Sequence, residues 1–253
     1  MMNHLQLELC LDELLASRQF KDYSPNGLQV EGRPDVQHIV TGVTASQALL
    51  DEAVRLQADA VLVHHGYFWG NEPAQIRGMK KRRLQTLLQH DINLYAYHLP
   101  LDAHPLLGNN AQLASLLGIS VLRTLEADNP RSLGLVGELD VPLSGEEFAE
   151  RLAARLGRTP LYCPGNASDV IRRIGWCSGG GQSYINLAAE QGLDAFFTGE
   201  ASEQTVHVAR EMGIHFFAAG HHATERYGIR ALGDWLVTTQ GLDVTFVDID
   251  NPV

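Results

Sequence analysis

The sequence predicts an α/β protein made of two related α/β/α lobes. Three observations carry this reading. Short apolar runs alternate with longer stretches of helical periodicity in both halves of the chain. Such alternation is the pattern of a mainly parallel sheet covered by helices on both faces. A shift of 135 positions also places Gln47 on Gln182, Ala53 on Ala188, Asp59 on Asp194 and Ala60 on Ala195, and the two strand–helix–strand units then coincide without a gap.

Taken in order, Leu5, Leu7, Leu11, Leu14 and Leu15 repeat at helical spacing. Asp22 to Gly27 is a turn-rich loop, which composition alone reads as a connector. Residues 38–43 form a strand, Thr44 or Ser46 caps the helix that runs to about Leu56, and 59–64 form the next strand. A helix over about 78–90 and a strand over 93–98 follow. The stretch from Glu126 to Gly165 has a different texture, with an alternating strand at 136–141 and a capping box at Ser144 and Glu147. The second half then repeats the pattern: strand 171–177, a turn at Ser178 to Gly181, a helix to about Gln191, strand 194–198, helix 202–212 and strand 214–219. A helix from about Thr224 to Leu236 and a strand at 243–249 close the chain. The first lobe is therefore expected over residues 1–126 plus about 226–253, and the second over 127–225.

Composition narrows the function classes. With 253 residues, 45% hydrophobic and 19% charged, the chain has material for a core and no sign of disorder. A net charge of -11 repels phosphate backbones, so nucleic-acid binding is disfavoured. The one basic run, Lys80 to Arg83, reads as a solvated helix face. The three cysteines, Cys10, Cys163 and Cys177, have no paired spacing and suit a reducing compartment. The N-terminal stretch carries Glu8, Asp12 and Glu13 among leucines, unlike a signal peptide, and no apolar run has the length of a membrane span. A cytoplasmic protein is expected.

Several of the eleven histidines follow strand ends, where open parallel sheets bind their ligands. His64 and His65 end an apolar strand. Neighbours in a regular strand face opposite ways, so the pair serves one site only if the strand breaks, and Gly66 permits a break. Otherwise one histidine is core and the other exposed. His221 and Glu225 share a helical face if a helix begins near His221, as a metal site or as an N-terminal charge pair. His98 and Asp102 flank a turn, with His98 read as a partner orienting a ligand, a ligand itself or a proton carrier. Glu200 lies near another strand end, as a site-lining group or half of a salt bridge. Ser178 to Gly181 fits no phosphate-loop pattern and reads as a tight turn. Taken together, three histidines and two carboxylates at matching strand ends suit two metal ions sharing a carboxylate.

With these motifs in view, the chain resembles the Nif-three-like family of GTP cyclohydrolase I type 2 homologs. The markers are residues 23–31 (Tyr23 through Glu31), 63–66, 98–102, 198–200 and 220–225. The resemblance covers essentially the whole chain. It implies a dinuclear metal centre between two lobes, with His64, His65, Asp102, His221 and Glu225 as ligands, Glu225 bridging, and His222 as the ambiguous neighbour of His221. It further implies a homohexameric ring. The chain is too short to hold the domain that some members insert between the lobes.

The function expected from this combination is a metal-dependent hydrolase acting on a nucleotide or related phosphorylated small molecule, in the manner of GTP cyclohydrolase and in the context of damaged nucleotides. Glu225 would hold both ions and His98 would move a proton. The ligands accept iron, manganese, zinc or magnesium. The alternative is a non-enzymatic, ring-forming metal buffer or scaffold, since no base-recognition motif is evident. DNA threading past Lys80 to Arg83 is a further idea that the acidic balance opposes.

Overall fold

The structure, a computed structural model, describes residues 1–253. Contacts divide the chain into two units, Met1–Leu101 with Gly228–Asp250, and Asp102–Tyr227 with Asn251–Val253.

The first unit opens with β1 (Met2–Asn3), α1 (His4–Leu15), β2 (Gly27–Val30) and β3 (Asp35–Val36). It continues through β4 (His38–Thr44), α2 (Gln47–Arg55), β5 (Ala60–His65), α3 (Gly78–Gln89) and β6 (Asn93–Ala96). Its sheet order is β13-β4-β5-β6-β2, where β13 is the return strand Asp243–Phe246. The four strands from β13 to β6 are parallel, and β2 adds an antiparallel edge. Ser46 caps α2 by accepting from Leu49 N. That cap turns Leu49, Leu50 and Ala53 onto the sheet, where they pack with Val40, Val61, Val63, Leu84 and Leu87. On α1, Leu7, Leu11 and Leu15 are buried, and the helix is tied down by Tyr95 Oη donating to His4 O (2.9 Å) and Tyr97 Oη to Asp12 Oδ1 (3.1 Å).

The second unit contains α4 (Leu99–Ala103, beginning in the first unit), α5 (Asn109–Leu117), β7 (Ile119–Thr124), β8 (Leu135–Leu143), α6 (Gly145–Leu156) and β9 (Leu161–Cys163). Next come β10 (Ile171–Trp176), α7 (Ile185–Glu190), β11 (Ala195–Thr198), α8 (Glu203–Met212), β12 (His215–Ala218) and α9 (His221–Trp235, which belongs to the first unit from Gly228 onward). The sheet order is β7-β8-β10-β11-β12-β9. Its centre, β10-β11-β12, is parallel, whereas β7, β8 and β9 join antiparallel. The mainly parallel expectation thus describes the middle of each sheet, and antiparallel strands extend the second. Consecutive phenylalanines feed both faces: Phe197 and Phe217 join Trp176 and Phe148 on one side, Phe196 and Phe216 join Ile185 and Ala209 on the other. The capping box read from Ser144 and Glu147 starts α6.

The repeat has a structural counterpart. Asp59 Oδ2 accepts from Gln37 N and His38 N, both at 2.9 Å, and Asp194 Oδ2 accepts from Arg172 N (2.9 Å) and Arg173 N (2.7 Å). The two aspartates that the 135-residue shift aligns therefore do the same work, each fastening the start of the neighbouring strand. The division between units falls at Leu101 and Asp102, earlier than the boundary near Ala127 that sequence texture suggested. The reason is packing: β7 pairs along β8, Leu113 and Leu117 share the core of Phe148 and Trp176, and Arg151 Nη1 donates to Leu117 O at 3.1 Å. No helix is long and apolar enough to cross a membrane.

Candidate metal centre

In the first unit, β5 delivers His64 fully buried and His65 partly buried. The strand pairing continues through His65, which sits opposite Thr44. Even so, the two imidazole centroids are only 4.5 Å apart, and His98 joins them at 5.1 and 5.6 Å. One ligand atom from each of the three lies within 4.8 Å of the others. Gly66 contributes differently from the expected backbone break. It has no positive φ, and a Cβ there would collide with Gln29 Oε1 and Ala96 Cβ, so glycine permits close packing just after the pair.

Each imidazole is oriented from behind. His64 Nδ1 meets the Tyr97 carbonyl at 3.0 Å, which places its proton on Nδ1 and the lone pair on Nε2. His65 Nδ1 meets Thr44 Oγ1 at 3.2 Å. His98 Nδ1 meets Asp22 Oδ1 at 2.7 Å. Asp22 Oδ2 also accepts from Leu99 N (2.9 Å) and Asn26 Nδ2 (3.0 Å). Burial works against the charged form of Asp22, but the bonds and charge of His98 with those of Asn26 and Leu99 outweigh it and hold the carboxyl below its usual range. The loop from Asp22 to Gly27 is therefore more than a connector: it holds His98.

In the second unit, α9 begins at His221, a turn earlier than Thr224, so His221 and Glu225 do share a face. His221 Nε2 lies 3.1 Å from Glu225 Oε2, and Nδ1 lies 2.7 Å from Glu200 Oε1. Burial alone would lower this imidazole, but the two carboxylates outweigh it and push it up to about 9. It is the His221 ring that meets Glu225, while His222 donates its backbone N–H to Val253 O at 3.0 Å. Asp102 Oδ1 accepts from Asn109 Nδ2 (2.9 Å) and Ser178 Oγ (3.0 Å). A cavity of about 170 Å³ opens beside it, bounded by His104, Asn110, Thr124 and Ser132.

Ser178 to Gly181 is the tight turn expected, and three of its four amides are spent on protein groups. Ser178 N donates to Asn110 Oδ1 (2.8 Å), Gly179 N to Thr224 Oγ1 (3.0 Å) and Gly181 N to Thr198 Oγ1 (3.0 Å). Gly179 has φ +60°, and a Cβ on it would collide with Glu225 Oε1. Gly179→Ala is accordingly expected to displace the Glu225 carboxylate and weaken metal binding by about 10- to 100-fold, the size of effect that loss of a ligand's support has. Metal titration of the variant beside the parent checks this, and unchanged affinity would show that Gly179 shapes the turn alone.

The donor set fits a divalent metal. Asp102 and Glu225 are 5% and 3% exposed, yet they offer oxygens within 4.8 Å of each other. Two buried carboxylates so close need positive charge beside them. Imidazole nitrogens held by carboxylates and carbonyls, together with carboxylate oxygens, are the ligands that zinc, iron and manganese take. Cys177 does not belong to this set. Burial pushes its thiol well up, and the charges of Asp102, Glu225 and Glu126 push it further.

A chain with this fold and these histidine and carboxylate clusters falls in the Duf34/NIF3 (NGG1p interacting factor 3) family, whose model matches residues 2–252, and it belongs to that family. The resemblance read from the sequence is thereby borne out. Among its relatives, the protein called GTP cyclohydrolase 1 type 2 homolog in Vibrio cholerae is 62% identical over the whole of both chains. The one of the same name in Escherichia coli K12 is 62% identical over 251 residues, 99% of this chain and all of that one. Among solved structures, protein ybgI, described as of unknown function, matches with a TM-score of 0.96 at 62% identity over all of both chains. TTHA1606 from Thermus thermophilus matches with a TM-score of 0.90 at 36% identity, again over all of both chains.

Proposed function

We propose that this protein is a metal-dependent hydrolase of a nucleotide or related phosphorylated small molecule, holding two divalent ions with His64, His65, Asp102, His221 and Glu225. The observation that carries this reading is the pair of buried carboxylates, Asp102 and Glu225, within 4.8 Å of each other and backed by Ser178, Asn109 and His221. The names of the relatives add the nucleotide. When bound, the ions would supply Lewis acidity toward a carbonyl or phosphoryl oxygen and lower the pKa of water.

The chain's own residues have distinct tasks. Glu225 offers two carboxylate oxygens and would hold both ions. Glu200 fixes the ring of His221, as Ser178 and Asn109 fix Asp102. His98, held at Nδ1 by Asp22, accepts or returns a proton at Nε2, the arrangement in which a carboxylate orients a histidine base. The homohexameric ring, a cytoplasmic location and a part in handling damaged nucleotides complete the proposal.

The experiment is turnover of a nucleotide panel by full-length protein loaded in turn with manganese, iron, zinc and magnesium. Metal-dependent ring opening or phosphoester hydrolysis is expected. Tight stoichiometric metal with no turnover of any panel member would replace the hydrolase with a metal-binding scaffold.

A further inference from the structure

Two aromatic side chains outside the ligand set stand against the first unit's imidazoles. Trp69 lies 5.0 Å from His98 and 5.9 Å from His65 between ring centroids, and Tyr23 lies 6.2 Å from His98. The ring planes cross at 79°, 57° and 59°, so none of these contacts is a parallel stack. Tyr23 is 69% exposed and Trp69 partly exposed.

Both rings sit on braced backbone. Trp69 Nε1 donates to Gly66 O (3.1 Å), and Gly70 N donates to Tyr23 O (2.8 Å), which ties the two loops together. Gln29 ties them again: its Oε1 accepts from Tyr67 N (2.7 Å) while Nε2 donates to Pro25 O (2.8 Å) and Tyr67 O (3.1 Å). Phe68, just before Trp69, has φ 64°, a left-handed conformation that bulky residues rarely adopt. It is held there by Glu72 Oε2, which accepts from Phe68 N at 2.8 Å, and by Lys80 Nζ 5.0 Å from its ring centroid. Strained backbone of this kind persists where surrounding structure enforces it, commonly beside functional sites.

From this we infer that Trp69, seconded by Tyr23, is the surface on which a planar heteroaromatic ring of the bound molecule stacks. The inference rests on the reading of the imidazole cluster as part of a substrate site, and it names the substrate class: a flat ring carrying an anionic group that reaches the metal ligands. Aromatic stacking is tolerant of ring identity because every such ring has a π-face.

Calorimetric titration of full-length, metal-loaded protein with three probes tests it. Guanosine 5′-phosphate has ring, sugar and phosphate, quinoline-2-carboxylate has a ring without sugar, and ribose 5-phosphate has no ring. Trp69→Leu is expected to weaken both ring-bearing probes by about 5- to 100-fold while leaving ribose 5-phosphate within about twofold. Trp69→Phe should retain most of the affinity, and Tyr23→Ala, at an exposed position, should lose less than Trp69→Leu. Guanosine 5′-phosphate bound equally by parent and Trp69→Leu overturns the stacking surface and leaves the nucleotide reading standing. Quinoline-2-carboxylate bound in a Trp69-dependent way, with guanosine 5′-phosphate not bound, supports the surface and removes the nucleotide. Equal loss of all three probes, or no binding of either ring by the parent, overturns the surface.

Discussion

Replacing Glu225 by Gln is expected to remove at least one metal ion per chain and to lower metal-dependent turnover by more than about 100-fold. Loss of a group that merely supports a ligand costs about 10- to 100-fold in metal affinity or activity, so loss of the ligand itself should cost more. The substitution keeps the size of a side chain that is 3% exposed and changes one acceptor oxygen into an N–H donor. A donor facing a cation is repelled where an oxygen would bind. Glu225 also stands 3.1 Å from His221 Nε2 and within 4.8 Å of an Asp102 oxygen, so no neighbouring carboxylate can take over without leaving its own partner. Elemental analysis after dialysis, run beside the turnover assay, checks the result, with circular dichroism to confirm the fold. Full metal occupancy in Glu225→Gln would take Glu225 out of the ligand set.

Trp176→Ala should be the most damaging core substitution in the second unit, costing about 3–5 kcal/mol from lost burial. Trp176 is fully buried and stacks on Phe197 with centroids 6.0 Å apart and planes 5° apart. Its Nε1 donates to Asn110 O at 3.0 Å, so truncation also leaves a buried carbonyl without that donor, at about 1–3 kcal/mol more. The damage reaches the candidate centre, because Asn110 accepts from Ser178 N and Ser178 in turn donates to Asp102. The variant is expected to unfold at lower urea concentration and to bind metal more weakly, with Trp176→Phe recovering much of the stability. Unchanged metal affinity in a destabilised Trp176→Ala would uncouple the core from Asp102.

The strand ends carrying His64, His65, His98 and His221 were legible because period and punctuation mark where strands stop, and ligands gather there. The aligned aspartates, Asp59 and Asp194, were legible for a related reason: a repeated local bond pattern leaves the same residue at the same offset. What the sequence concealed were partners distant along the chain. Asp22 supports His98 from 76 residues away, and Ser178 supports Asp102 across the same separation. Short polar residues in turns look alike whether they cap their own backbone or a remote histidine, so the loop at Asp22 read as a connector. Glu200 was singled out at its strand end, but only the fold places it on His221 Nδ1. Contacts divide the units at Leu101 and Asp102, because α5 and β7 pack with the core of the second unit. Trp69 gave no signal, because the aromatic run Tyr67-Phe68-Trp69 lies in a loop with no periodicity to single out one ring.

The most direct measurement is crystallographic: anomalous difference maps from the full-length protein grown with manganese, collected to identify each metal by its scattering. Two peaks per chain, touched by His64, His65, Asp102, His221 and Glu225 with Glu225 on both, are expected. No peak at these residues, or manganese bound only by other side chains, would contradict the dinuclear centre and the hydrolase built on it.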